Sequence, residues 1–284
     1  MKRILIAGCG DVARRVIPLL ARHYRVYALV RNPGYCDGLR KLGAVPLIGD
    51  LDDRNSLMRI ANLADAVLHL APPPASGMVD TRTRNLLGVL SKGVKRLVYI
   101  STSGVYGDCG GAWVNESHPL HPQSARAMRR VDAERQIRDW ARRNQVNACI
   151  LRVPGIYAAD RLPTARLAQP CIVDAEDGYT NHIHADDLAQ ICVAALQRGR
   201  PCRIYHASDD SRLKMGEYFD LVADAFNLPH PPRLSRTEVQ AAVSEAMYSF
   251  MNESRRLTNI RLKRELKVSL KYPTVAAFLT ELKG

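Results

Sequence analysis

Apolar and polar positions along the first half of the chain follow a repeating pattern. Short, nearly continuous apolar runs alternate with longer stretches in which apolar residues recur every three or four positions. The runs Arg3–Ala7, Arg25–Val30, Val45–Ile48, Ala66–Ala71, Arg96–Ser101 and Ala148–Val153 predict strands buried on both faces. Between them, Val12–Arg22, Asp37–Leu42, Arg54–Asn62, Val79–Ser91 and Ser124–Asn144 carry the helical period. Strand and helix in alternation, with short connections, predict an α/β fold: a doubly wound parallel sheet with helices on both faces. A ligand of such a sheet is expected at the carboxyl ends of the strands.

The rhythm breaks after Val153. Residues 154–182 are loop-like and rich in Pro and Gly. The helix Ala185–Gln197 and the strand Arg203–Ala207 then return to the sheet, and residues 208–284 read as short helices between turns such as Leu228-Pro229-His230-Pro231-Pro232. The expected organisation is a dinucleotide-binding domain of residues 1–155 plus 183–207. Residues 156–182 plus 208–284 would form a small, mostly helical substrate lobe.

The word dinucleotide rests on the first strand–helix junction. Gly8-x-Gly10-x-x-Ala13 follows the opening strand directly and runs into an amphipathic helix. Gly8 permits the tight turn, Gly10 lets backbone approach a pyrophosphate, and Ala13 lets helix and strand pack closely. The N–H groups of Asp11, Val12 and Ala13 would then face the phosphates at the positive end of the helix. In this architecture an acidic residue at the end of the second strand holds the ribose 2′-hydroxyl of NAD, whereas a basic one accommodates the 2′-phosphate of NADP. Here Arg31 follows that strand, and no Asp or Glu lies between Asp11 and Asp37. NADP is therefore expected over NAD. Asp50 and Leu51, after the third strand, would meet the adenine, although Asp50 has the alternative role of capping the next helix.

Composition narrows the function classes. The net charge is +13 over 284 residues, but the arginines are spread through nearly every helix and form no basic arm. A solvated basic surface is expected, with no nucleic-acid partner. No apolar run approaches a membrane span, and the first strand leaves no targeting peptide to expect. Seven scattered cysteines without C-x-x-C spacing argue against a disulfide framework and against a metal site, and point to the cytoplasm.

From the fifth strand onward the chain resembles the extended short-chain dehydrogenases/reductases, the NAD(P)-dependent nucleotide-sugar epimerases and dehydratases. The resemblance rests on four segments: Tyr99-Ile100-Ser101-Thr102-Ser103-Gly104-Val105-Tyr106-Gly107-Asp108, Leu151–Tyr157, Asn181–Ala189, and Arg261–Leu266 with Tyr272-Pro273-Thr274. It implies a cofactor lying over the first turn and along Ala71-Pro72-Pro73. It implies Thr102 as the catalytic hydroxyl, with Pro154 and Gly155 on the nicotinamide side. A small-molecule substrate of the nucleotide-sugar kind is expected, and a homodimer is allowed. For His184 and Asp186, near a helix start, a structural capping role is favoured.

One departure stands out. The family places a tyrosine, followed four residues later by a lysine, on the helix after the fifth strand. Register from Pro122 and Glu134 puts Arg126 and Arg130 in those positions. Arginine cannot cycle as a base at neutral pH, but it binds anions. The pair would form either an anion clamp or part of a solvated face shared with Arg129, Arg135 and Arg138. Tyr106, His121 and Tyr157 are candidate substitute acids. Two functions follow: an NADP-dependent oxidoreductase or epimerase-like enzyme on a nucleotide sugar or similar anion, or a catalytically silent NADP-binding sensor.

Overall fold

Ile4, Leu5, Ile6 and Ala7 are fully buried because strand β1 (Lys2–Ala7) has a neighbour on each side. It pairs in parallel with β2 (Tyr24–Val30) and with β4 (Ala66–His69). Beyond β2 lies β3 (Ala44–Ile48). Beyond β4 lie β5 (Arg96–Thr102), β6 (Asn147–Val153) and β7 (Arg203–His206). The order β3-β2-β1-β4-β5-β6-β7 is parallel throughout. It reverses direction between β1 and β4, which opens the ligand crevice of a doubly wound sheet there. The structure is a computed structural model that describes residues 1–90 and 93–283, with only the backbone of Ala246.

Alternate side chains of β1 feed two cores, as a period of two requires. Ile4 and Ile6 pack with Val16, Ile17 and Leu20 of α1 (Asp11–Ala21) and with Leu188, Ile191 and Ala195 of α5 (Ala185–Arg198). Leu5 and Ala7 pack on the opposite face with Leu86 of α3 (Thr81–Val89) and with Ile137 and Trp140 of α4 (Ala125–Asn144). The Ser124 side chain caps α4 by accepting from the Ala127 N–H, and Gln145 ends it in a left-handed conformation (φ 55°). Between α1 and α3 lies α2 (Cys36–Lys41).

A third apolar cluster unites Tyr157, Leu167 and Ile172 with Phe219 and Val222 of α6 (Met215–Ala225) and with Val239, Met251 and Phe278. Two-residue and three-residue strand pairs stitch these segments together: Gly155–Tyr157 with His182–His184, Cys171–Ile172 with Arg233–Leu234, and Tyr179–Thr180 with Leu213–Lys214. The helix Ile260–Leu266 instead sends Leu262 and Leu266 into the β1–α1–α5 core.

Two expected helices and one expected cap differ. The helix expected over Arg54–Asn62 is a 3-10 turn, Asn55–Ile60. Its two buried side chains, Leu57 and Ile60, are three apart, which suits three residues per turn, and Asn62 turns left-handed (φ 58°) just beyond. Asp50 does not cap it: Arg54 holds the cap position, and the Asp50 carboxylate accepts from the Asp52 N–H at 3.0 Å. The helix expected from Val79 starts at Thr81, because Asp80 Oδ1 caps it by accepting from the Thr83 N–H; its expected end at Ser91 lies outside the described residues.

Candidate functional site

Gly8 sits at the point where the sheet order reverses. Its φ is +97°, and a Cβ there would lie 2.3 Å from the backbone nitrogen of Ala71. Only glycine lets the end of β1 pass this close to the chain leaving β4. Gly10 occupies the cap position of α1 without any side-chain cap, and beyond its chain neighbours no atom of the described residues lies within 4 Å of where its Cβ would be. The N–H groups of Asp11, Val12 and Ala13 find no acceptor among the described residues; the first helical bond runs from Arg14 to Gly10. These donors open onto a groove of about 810 Å³ that Arg31, Asp50, Leu51 and Pro72 also line. Uncapped helix donors beside room for backbone approach fit a dinucleotide pyrophosphate. Ala71 backs Gly8, while Arg82 donates to the carbonyls of Pro72 and Pro73 at 3.3 and 3.4 Å. Cys9 is structural: its thiol donates to the Leu29 carbonyl at 3.3 Å, and burial pushes it up to about 12.

Basic and hydrogen-bonding side chains gather at the β2 end of the groove. Arg31 is 71% exposed and 4.0 Å from Asp50, too far for a hydrogen bond. Arg14 lies over the Tyr35 ring at 5.6 Å, and Asn32 completes the wall. Sequence reasoning singled out Arg31 but missed Arg14, Asn32 and Tyr35. Arg14 stands one helical turn from Gly10, a spacing that points it at the same opening.

A second cavity, of about 670 Å³, brings Thr102, Arg126, Pro154 and Gly155 together. Thr102 ends β5, and its Oγ1 accepts from the Gly104 N–H at 3.2 Å. Its hydroxyl proton has no acceptor among the described residues. The Arg126 guanidinium lies 4.1 Å over the Phe250 ring, without a carboxylate partner among the described residues. Desolvation and the charges of Arg130, Arg129 and Arg255 lower its pKa, against the pull of Glu253. Arg166 also lines the cavity, with no ion pair among the described residues, its Nη1 resting on the Met247 sulfur at 3.7 Å.

Arg130 does not join Arg126. Its Nη1 donates to the Tyr99 hydroxyl at 3.0 Å and to the Ile100 carbonyl at 2.7 Å, and it lines neither the groove nor the cavity. The neighbouring arginines are all engaged, although Arg135 stays solvated with its side chain 73% exposed. Arg129 donates to the Gly77 carbonyl, Arg135 pairs with Asp132, and Arg138 pairs with Glu134.

None of the three candidate substitute acids lines the cavity. The Tyr106 hydroxyl is locked between His206 Nε2 and Arg152 Nη1, each at 2.6 Å, and burial pushes it up to about 12. Tyr157 is buried among His182, His184 and Phe278, and His121 is exposed. The cavity has its own titratable rings in Tyr179, Tyr218 and His182. Tyr218 stacks on His182 with ring centres 4.2 Å apart, and burial raises its pKa. Burial lowers His182 to about 3, so it is neutral. In the sequence Tyr218 looks like any core residue of an amphipathic helix. His184, not Asp186, caps α5: its Nδ1 accepts from the Asp186 N–H at 3.2 Å. Among the described residues no cluster of His, Cys, Asp and Glu could hold a metal, and no helix is long and apolar enough to cross a membrane.

A parallel sheet of this order, with a glycine turn and free helix donors at its switch point, defines a nucleotide-binding protein of the Rossmann class. The family model described as NAD(P)H-binding matches residues 8–199, and the chain belongs to that family. It is 26% identical over 248 residues to a ketoreductase of Stigmatella aurantiaca that acts on a 4-farnesyl-dihydroquinoline-1-oxide, covering 79% of this chain and 73% of that one. A conserved protein of unknown function from Silicibacter pomeroyi superposes with a TM-score of 0.82 at 28% identity, over 100% of this chain and 98% of the other. The UDP-glucose 4-epimerase of Thermotoga maritima shares the fold, with a TM-score of 0.79 at 18% identity over 99% and 98% of the two chains. The architecture is that of the extended short-chain dehydrogenases/reductases.

Proposed function

We propose that this protein is an NADP(H)-dependent oxidoreductase, epimerase-like in architecture, acting on a nucleotide sugar or a similar anionic small molecule. One observation carries the reading: the groove with free α1 donors adjoins a cavity that gathers Thr102, Arg126, Pro154 and Gly155. Arg31 and Arg14, with no acidic residue at the end of β2, support the 2′-phosphate of NADP. The nicotinamide, when bound, supplies hydride transfer. Thr102 would donate its free hydroxyl proton to a substrate oxygen. Arg126 and Arg166, both without ion pairs among the described residues, would hold an anionic group, while Met215, Phe219 and Phe250 receive an apolar part. Arg126 stays protonated and exchanges no proton; Tyr218, kept in its hydroxyl form by burial, would donate a hydrogen bond to a substrate oxygen and not act as a base. The seven free cysteines, three of them buried, suit the reducing cytoplasm.

The sensor reading keeps one supporting observation. Arg130, in the lysine register, is committed to Tyr99 and to the Ile100 carbonyl rather than to the groove. Calorimetry and turnover separate the two. NADPH should bind more tightly than NADH, and Arg31→Ala should weaken NADPH more than NADH by about 1–3 kcal/mol, the value of a charge-assisted contact. Equal affinities before and after the change would refute NADP preference. Turnover on a panel of nucleotide sugars and keto-sugars, lost in Thr102→Val and in Tyr218→Phe, would support catalysis. Tight NADPH binding without turnover on any panel member favours the sensor.

A further inference from the structure

Arg161 closes the short 3-10 turn Ala159–Arg161. Among the described residues it is the one that lines both the groove and the cavity. Its Nη1 donates to Asp11 Oδ2 at 3.1 Å, and Asp11 is the first residue of α1. The remaining guanidinium N–H groups have no acceptor among the described residues. Next to it, Asp160 Oδ1 accepts from Arg15 Nη2 at 3.3 Å, and Arg15 Nη1 reaches Asp186 at the start of α5 at 2.6 Å. The turn is thus strapped to the N-terminus of α1 by two ion pairs of opposite orientation.

An anion over the free amides of residues 11–13 meets a conflict there. The helix end favours it, but the Asp11 carboxylate, offset only in part by the Arg15 Nε that bonds it at 3.1 Å, opposes it. A guanidinium already bonded to Asp11, with donors to spare, removes the conflict by bonding both anions. The five residues that follow, Leu162 to Arg166, all line the cavity, so a pull on Arg161 shifts a wall that the substrate meets.

We propose that Arg161 is a ligand of the cofactor pyrophosphate, supplied by the segment that walls the substrate cavity, and that cofactor binding thereby draws residues 158–166 over that cavity. The proposal rests on the reading of the groove as a dinucleotide site. It makes the substrate bind more tightly to the cofactor-loaded protein, and by reciprocity the cofactor more tightly to the substrate-loaded one.

The test is calorimetry of the full chain with NADPH at low salt, on wild type, Arg161→Ala, Asp11→Asn and the double variant. Arg161→Ala should weaken NADPH about ten- to a hundredfold, the range of a charge-assisted hydrogen bond, with a similar loss in the Asp11→Asn background. A loss that vanishes in that background means that Arg161 only screens Asp11, and overturns the pyrophosphate contact. Adenosine 2′-monophosphate, which lacks the pyrophosphate, should bind wild type and Arg161→Ala alike; unequal binding also overturns it. Saturating NADPH should slow amide exchange over residues 158–166 in wild type but not in Arg161→Ala, and equal exchange in both refutes the closure. If wild type binds neither NADPH nor NADH, the groove reading itself fails. If wild type binds and Arg161→Ala binds equally well, only this inference fails.

Discussion

Asp209 shows what burial does to a single carboxyl beside the cavity. Its Oδ1 accepts from the Ser211 N–H at 2.9 Å, but Oδ2 is buried without a hydrogen-bond partner among the described residues. Burial pushes it up to about 7, against the pull of its bonds to Ser211. An unfolded aspartate titrates near 3.8, so between about 3.8 and 7 the folded state holds the extra proton. Stability therefore falls as pH rises through that window and stays lowered above it. Tyr157 and Tyr218 feel the Asp209 charge as it forms. Asp209→Asn should flatten this stretch of the profile, gaining about 1–3 kcal/mol over wild type at pH 8 relative to pH 4. Urea unfolding at both pH values checks it, and parallel profiles for the two proteins would sink the idea. At this scale the sequence was partly legible. Arg126 and Arg130 could be placed in register, since i and i+4 share a helix face. Their separate fates could not, because Arg130 is captured by Tyr99 and Ile100 on β5 whereas Arg126 finds Phe250, a residue far along the chain that no local pattern links to it.

Within and between elements, burial on both faces made the inner strands readable, whereas the edge strand β3 leaves Val45 and Ile48 exposed; single charged residues inside the inner strands are the exceptions that need explaining. Arg152 of β6 and Glu134 of α4 are both fully buried, joined by two hydrogen bonds at 3.0 and 2.7 Å. Ser101 of β5 donates to the same carboxylate at 2.7 Å, and so does Arg138 at 2.7 Å. Burial alone would raise the Glu134 carboxyl, but the bonds to Arg152 and Ser101 outweigh it and hold it below the usual range. Its contribution is thus full above the unfolded value near 4.5 and is lost as pH falls through the lower folded value. Glu134→Gln leaves Arg152 buried without its counter-charge and should cost about 3–5 kcal/mol at pH 7. The cost should shrink toward acid, where wild type loses the same interaction. A cost below about 1 kcal/mol in denaturant melts at pH 7 would show that the pair is dispensable. Elements without such periodic burial stayed hidden. The strand pairs outside the central sheet are two or three residues long, and each is defined by a partner remote in sequence, as Cys171 is by Arg233. The 3-10 turn Asn55–Ile60 shares its i, i+3 spacing with an α-helix, so periodicity alone could not separate them.

At the scale of the whole molecule, the two halves of the sheet meet at one glycine and the ligand groove opens beside another, and these glycines do different work. A side chain at Gly8 meets the Ala71 backbone at 2.3 Å with φ at +97°. Neither the end of β1 nor the chain after β4 can yield without parting the strands at the switch point. Gly8→Ala should therefore destabilise the protein by about 2 kcal/mol or more, through strain and overpacking together. A Cβ at Gly10 meets no atom of the described residues within 4 Å beyond its chain neighbours, and its φ of −80° with ψ of −159° is open to any residue. Gly10→Val should cost the fold only the difference between two helix caps, about 1 kcal/mol or less, while filling the space a pyrophosphate needs. The expected result is a clean division. Gly10→Val keeps its far-ultraviolet circular dichroism and nearly its melting temperature but loses NADPH binding in calorimetry. Gly8→Ala melts several degrees lower, and at temperatures where it is folded it binds NADPH in proportion to how well the turn survives. Retained NADPH binding by Gly10→Val would show that the groove beside α1 is not where the dinucleotide lies.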